Sequence, residues 1–125
     1  MQTLVETPVR PDDPLAQAID ACLSLVVICT TCAEICGPEE GPGGAFMRAC
    51  LDCAESCSAA AVSAQRREDG SEAVVRAELE ACIAACRAVV AHCETHGSSD
   101  GPCQVCAEEC RRCLARCEAA VESLA

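Results

Sequence analysis

The sequence contains 125 residues, of which fifteen are cysteine, and it carries a net charge of −11 with nine basic residues. A chain of this length suits one domain rather than two. The acidic balance argues against a nucleic-acid partner or an anionic membrane surface, because both require clustered lysine and arginine.

Residues 1–12 come first, and we predict that they form a flexible N-terminal segment. They have no basic start followed by an apolar stretch, so they are not expected to be a secretory signal. The longest apolar run, Leu23 to Cys29, is far shorter than the roughly 18 residues that indicate a membrane span. We therefore expect a soluble cytoplasmic protein. In that reducing compartment, a cysteine-dense chain indicates metal or redox chemistry rather than a disulfide framework.

The first two helices are separated by a segment rich in glycine and proline. Helix 1 is predicted over 13–36, because Gly37 and Pro38 end it. A link over 37–44 follows, and a second helix is predicted over 45–67.

The second half of the chain repeats this organisation. A third helix is predicted over 71–96, and a fourth from about Asp100 to the C-terminus. Four helices of about 24 residues joined by short turns must pack as antiparallel neighbours. We predict an all-α fold, an antiparallel up-down-up-down four-helix bundle with a cysteine-lined core, as a single domain over 13–125.

The cysteines recur at steps of three, four or seven residues, which places their side chains on one face of each helix. The motif Cys-x2-Cys-x3-Cys begins at Cys29, Cys50 and Cys103, and the last copy continues with two further cysteines. Thiols are therefore expected to line the inside of the bundle.

An inert core is a poor explanation for so many thiols. One or two buried cysteines need no function, since cysteine behaves as a small apolar residue. A purely structural core would use leucine and isoleucine, which bury more area and do not oxidise. Disulfides are also a poor main explanation, because cysteines within one helix seldom meet the torsion that a disulfide demands.

Iron–sulfur clusters and zinc are two alternatives that use metal. A cluster requires four thiolates, usually from a wrapping loop, which makes a ferredoxin-like redox protein less favoured on straight helices. Structural zinc requires tetrahedral groups of four ligands, and the cysteines far exceed one such site. Zinc or another soft metal remains an alternative cargo.

Cu(I) fits the pattern best. It is soft, prefers thiolate, and is satisfied by two or three sulfurs, so a pair of cysteines on one helix forms half of a site that a neighbouring helix completes. Each Cu(I) that replaces a thiol proton leaves a neutral unit, so roughly one ion per thiol gives an uncharged core.

With these motifs, the chain over 21–118 resembles the bacterial cytosolic four-helix-bundle copper storage proteins. The resemblance implies storage of many Cu(I) ions per chain, protection against copper toxicity, and assembly as a homo-oligomer, with a tetramer favoured. A departure from the pattern is Val89, which falls on the cysteine face of helix 3 where another thiol would fit.

The predicted metal ligands are the cysteines, one histidine and one methionine. They are Cys22, Cys29, Cys32, Cys36, Cys50, Cys53, Cys57, Cys82, Cys86, Cys93, Cys103, Cys106, Cys110, Cys113, Cys117, His96 and Met47.

Of the two histidines, His96 lies closer to the cysteine face of helix 3 than His92 does. No cysteine is paired with an adjacent base in the sequence, so we do not expect an enzyme.

Two further expectations concern the surface and the ends of the bundle. Leu23 and Val27 on helix 1, with Leu51 and Val62 on helix 2, point away from the thiols, which predicts association through these helices. The end that carries Met47 and His96 is expected to admit copper, with Phe46 narrowing it. The opposite end is predicted to be closed by apolar side chains, namely Leu15, Ile19, Val75, Val121 and Leu124.

Overall fold

The computed structural model describes residues 13–36, 42–67, 70–95 and 101–124. The predicted N-terminal segment, 1–12, and the predicted ligand His96 lie outside the described residues. Cys36 and Cys103 belong to helices, but their side chains lie outside the described part of the molecule.

Four α-helices account for almost all of the described chain. They are α1 (Pro14–Cys36), α2 (Pro42–Gln65), α3 (Glu72–Thr95) and α4 (Gly101–Leu124). In the described chain each helix packs against two others, in the ring α1–α2–α3–α4, and the backbones of the diagonal pairs stay apart. The predicted all-α, antiparallel four-helix bundle is confirmed.

Local hydrogen bonds explain where two of the helices begin. The Leu15 amide donates to Oδ1 of Asp13 at 3.0 Å, so Asp13 is the N-cap of α1, a role that short polar side chains favour. The Val75 amide donates to the Ser71 carbonyl at 3.1 Å. Before Ser71, Gly70 has a φ of 90°, a left-handed conformation that glycine adopts without steric cost.

The start of α2 differs from the sequence-based expectation. The helix begins at Pro42, three residues before the predicted start at Ala45. Proline is tolerated in a first helical turn because its missing N–H would have no partner there. The two glycines that follow Pro42 therefore belong to the helix rather than to the link.

The interior is wholly apolar, since no polar or charged residue of the described chain is buried. At one end of the bundle, which we call the closed end, Leu15, Val75 and Leu79 are at most 5% exposed. The Arg76 guanidinium lies over this end and donates to the carbonyls of Val121 at 3.4 Å and Leu124 at 3.1 Å. It thereby satisfies free carbonyls in the last turn of α4.

Helix α1 is more apolar than its uninterrupted runs indicate. Over Pro14–Ile35 the mean hydropathy reaches 1.8, so by length and composition alone α1 could cross a membrane. The sequence-based expectation considered only the run from Leu23 to Cys29 and missed this, because cysteines and alanines add to the hydropathy of the whole helix. The core helix of a soluble protein passes the same test, and α1 directs its thiols into the bundle.

Candidate metal centre

Thirteen cysteine side chains are described, and every one of them is buried. They come from all four helices and line the interior of the bundle, and we call them the thiol column. The members are Cys22, Cys29, Cys32, Cys50, Cys53, Cys57, Cys82, Cys86, Cys93, Cys106, Cys110, Cys113 and Cys117. The three- and four-residue spacing produces this arrangement because it keeps each set of thiols on one helix face.

The densest part of the column lies next to the closed end. The Sγ atom of Cys22 is 3.8 Å from that of Cys82 and 3.7 Å from those of Cys113 and Cys117. Cys57 Sγ lies 3.3 Å from Cys82 Sγ. Thiols from α1, α2, α3 and α4 therefore meet in one place without any rearrangement of the helices.

The middle of the column contains groups of three thiols. Cys53, Cys86 and Cys110 have Sγ atoms within 4.8 Å of one another, and so do Cys29, Cys106 and Cys110. Because Cys110 belongs to both groups, it connects them. The column is thus continuous from the closed end to Cys29.

Cys50 extends this part of the column. Its Sγ atom lies 3.9 Å from that of Cys106, so a pair of thiols from α2 and α4 adjoins the second group of three.

Two buried aliphatic residues lie on the cysteine faces of their helices, and neither adds a thiol to these groups. The group of Cys53, Cys86 and Cys110 receives nothing from α1, whose residue between Cys22 and Cys29 in the core is Leu25. The group of Cys29, Cys106 and Cys110 receives nothing from α3. Leu25 and Val89 are fully buried, at 1% and 0% exposure, so they occupy positions on the cysteine faces of their helices.

From the sequence, Val89 was expected to lie on the cysteine face of the third helix, in a place where another thiol would fit. Its burial agrees with that expectation. Leu25 was missed. Its spacing of three residues from Cys22 and four from Cys29 is the signal that would have identified it.

The thiols at the closed end differ in how readily they ionise. Hydrogen bonds from neighbouring thiols, first that of Cys113 and then that of Cys117, lower the pKa of Cys82. Contacts with neighbouring thiols, first that of Cys113, together with burial, raise the pKa of Cys57. A metal binds the thiolate, so a thiol that receives hydrogen bonds from its neighbours gives up its proton to a metal more readily.

At the other end of the bundle, which we call the mouth, α1 and α3 end and α2 and α4 begin. Phe46 is buried and stacks on the His92 ring, with centroids 5.3 Å apart and an angle of 28° between the planes. Met47 is half-buried and packs against the core. Aromatic and thioether side chains therefore lie at this end of the core.

Residues 12–122 match the family model described as copper storage protein. The chain belongs to the copper storage protein family. The resemblance predicted from the cysteine motifs is thus confirmed.

Solved structures of this family share the fold. A mutant of Ccsp from Streptomyces lividans is 33% identical, with a TM-score of 0.80 and coverage of 90% of this chain and 95% of that one. A cytosolic copper storage protein from the same organism, with five coppers, is 33% identical, with a TM-score of 0.78 over 87% and 92% of the two chains. Ccsp loaded with 10 copper equivalents is 31% identical, with a TM-score of 0.80 over 94% and 93%. Among curated proteins, none matches the chain.

The structure brings most of the predicted ligands together. Thirteen of the predicted cysteines lie in the thiol column, and Met47 is half-buried and packs against the core. The stack of Phe46 on His92 was not predicted, although Phe46 was expected near the mouth. A contact between side chains of two helices depends on how those helices are rotated, which a single sequence does not give.

Proposed function

We propose that this protein stores Cu(I) in the cytoplasm, binding roughly one ion per cysteine and thereby protecting the cell against copper toxicity. The observation that carries the proposal is the column of buried thiols, whose groups have Sγ atoms within 4.8 Å of one another and as close as 3.3 Å. The description of a similar Streptomyces lividans protein as a cytosolic copper storage protein supports the compartment.

The charge of the loaded core favours Cu(I). The described chain has no buried cation that would neutralise a column of thiolates. One Cu(I) per thiolate leaves no net charge, so the loaded core stays compatible with its apolar surroundings. A divalent ion on each thiol would leave a large positive charge in the same place.

The geometry disfavours an iron–sulfur cluster. Such a cluster needs room for inorganic sulfide between the protein thiolates. Here the thiols are in direct contact, as in the pair Cys57 and Cys82, and they sit on straight helices. Cu(I) needs only two or three sulfurs, and the groups of three thiols supply that number.

We propose as ligands all fifteen cysteines, with Met47 and His96 as transient ligands at the mouth. Thioether and neutral imidazole bind Cu(I) less strongly than thiolate does, which suits a site that copper only passes through. The opposite end is closed by Leu15, Val75 and Leu79, which offer no ligand atom. Copper therefore enters and leaves through the mouth.

A storage role requires no turnover, and we propose that the protein is not an enzyme. The described thiols next to the closed end contact other thiols, as Cys57 contacts Cys82. A nucleophilic cysteine requires a general base beside it.

We also propose that the protein assembles as a homo-oligomer, with a tetramer favoured. Leu23 and Val27 on α1 are 47% and 65% exposed, and Leu51 and Val62 on α2 are 40% and 44% exposed. Since α1 and α2 are neighbours in the bundle, these side chains form an apolar surface suited to a second copy.

The test is an anaerobic titration of the fully reduced protein with Cu(I), followed by thiolate-to-copper charge transfer in the ultraviolet. We expect saturation near 15 ions, the number of cysteines, without d–d bands. Saturation at one or two equivalents would contradict storage. Visible absorption after reconstitution with iron and sulfide would favour the ferredoxin-like alternative.

A further inference from the structure

We propose that the six thiols nearest the closed end form a binuclear site for two tetrahedral divalent cations of the Zn(II) class. The inference goes beyond copper storage, because it assigns a different cargo to one part of the thiol column. The six thiols, which we call the distal cluster, are Cys22, Cys57, Cys82, Cys86, Cys113 and Cys117.

The first of the two sites has the dimensions of a tetrahedron. Four thiolates around one zinc at a Zn–S distance of about 2.3 Å have sulfurs about 3.8 Å apart. In the group of Cys22, Cys82, Cys113 and Cys117, five of the six Sγ–Sγ distances lie between 3.7 and 4.0 Å. The sixth, between Cys82 and Cys113, is within 4.8 Å. A tetrahedral ion therefore fits with little movement.

The second site shares an edge with the first. Cys57, Cys82, Cys86 and Cys113 also have Sγ atoms that all lie within 4.8 Å of one another. Cys82 and Cys113 belong to both groups of four. Two ions can therefore each reach four sulfurs from six thiols, provided that the thiolates of Cys82 and Cys113 bridge them.

The rest of the described column does not offer the same arrangement. The groups that contain Cys110 have three thiols each. Three sulfurs satisfy Cu(I), whereas structural zinc takes four ligands. Within the described column, groups of four thiols therefore occur only in the distal cluster.

The charge of the filled cluster limits how tightly divalent ions are held. Binding two Zn(II) ions to six thiolates releases six protons and leaves a charge of −2, by the arithmetic of two dications and six monoanions. Cys53 Sγ lies 4.0 Å from Cys57 and 3.8 Å from Cys86, and its thiol hydrogen can be donated to a thiolate. Cu(I) leaves no such charge, so we expect Cu(I) to displace the divalent ions.

The test uses the reduced full-length chain and Co(II) as a spectroscopic probe for Zn(II). We expect two equivalents to bind with the visible absorption of tetrahedral cobalt thiolate. The cobalt signal in electron paramagnetic resonance should rise with the first equivalent and fall with the second, because bridging thiolates couple the two ions. Zn(II) should then displace both.

Two double variants with equal thiol losses make the test specific. Cys22→Ser with Cys117→Ser leaves the group of Cys57, Cys82, Cys86 and Cys113 intact, so it should bind one Co(II). The matched control, Cys29→Ser with Cys106→Ser, should still bind two. Far-ultraviolet spectra confirm that both variants remain helical.

Equal cobalt stoichiometry in the two variants would overturn the proposal, and so would a parent that binds no tetrahedral Co(II). Copper capacity is measured on the same samples and should fall by about two ions in each variant. A failed cobalt titration with normal copper capacity would therefore reject the binuclear site and leave copper storage intact.

Discussion

At the scale of single residues, the capacity of the core depends on which side chains occupy the cysteine faces. Val89 is fully buried between Cys86 and Cys93 on α3, and Leu25 is buried between Cys22 and Cys29 on α1. Each occupies a position where the surrounding helices supply thiols. A thiol is no larger than either side chain, so the core can accept one there.

We predict that Val89→Cys raises the Cu(I) capacity by about one ion per chain, because it adds a buried thiol to the cysteine face of α3 between Cys86 and Cys93. Anaerobic titration measures this change. Val89→Ala is the control, since it removes the same side chain without adding a ligand and should leave capacity unchanged. An unchanged capacity in a folded Val89→Cys protein would refute the prediction.

Adjacent valines on α3 provide a second comparison. Val75 is 1% exposed at the closed end, whereas its neighbour Val74 is 57% exposed. Val75→Ala should lower the free energy of unfolding of the apo-protein by about 2–3 kcal/mol, through lost burial and the cavity that remains. Val74→Ala should change it by about 0.5 kcal/mol or less. Chemical denaturation measures both, and equal effects would show that the closed end is not tightly packed.

At the scale of helices, much of the arrangement was predictable. The number of helices, their cysteine faces and the outward direction of Leu23 and Leu51 follow from a period of 3.6 residues, which the sequence displays directly. The early start of α2 at Pro42 was not predicted, because proline and glycine indicate a link as readily as a first turn. The three-thiol groups were missed for a different reason, since they depend on the axial alignment of neighbouring helices.

The outer faces of α1 and α2 lead to a prediction about assembly. Replacing Leu23 and Val27 with glutamate should dissociate the oligomer, because charges would enter an apolar contact. The matched control is Val74→Glu on α3, which has similar exposure but lies away from that surface. Light scattering at micromolar concentration measures the mass. A parent that is already monomeric would contradict the proposed assembly.

At the scale of the whole molecule, the stability of the apo-protein should depend on pH. Neighbouring thiols and burial raise the pKa of seven cysteines above the ordinary value of 9.0, and neighbouring thiols lower the pKa of four. A thiol with a raised pKa keeps its proton in the folded state, whereas the unfolded chain ionises near pH 9. Its contribution to stability is therefore present below that pH and is lost above it.

Because raised values predominate, we predict that the apo-protein loses stability as the pH rises from 8 to above 9. The copper-loaded protein should lose much less, since its sulfurs carry no titrating proton. Thermal unfolding under anaerobic conditions measures both forms. An apo-protein that gains stability over this interval would show that the thiols with lowered pKa values dominate.

The mouth yields a kinetic prediction. Met47→Ala combined with His96→Ala should slow, several-fold, both the loading of Cu(I) and its removal by a chelator, because weak ligands at the mouth are lost. The capacity for Cu(I) should stay almost unchanged. Val105→Ala, an exposed position near the start of α4, is the control. Equal rates in the parent and the double variant, or copper bound first near Leu124, would show that the mouth is elsewhere.

The closed end also determines the order in which stored ions can be recovered. Leu15, Val75 and Leu79 block that end, and neighbouring thiols are close enough for an ion to pass from one sulfur to the next without leaving the core. With the mouth as the one proposed opening, we expect the protein to release first the copper that it bound last. Copper acquired during an early excess would then form a deep reserve, and the most recent arrivals a rapidly exchanging pool.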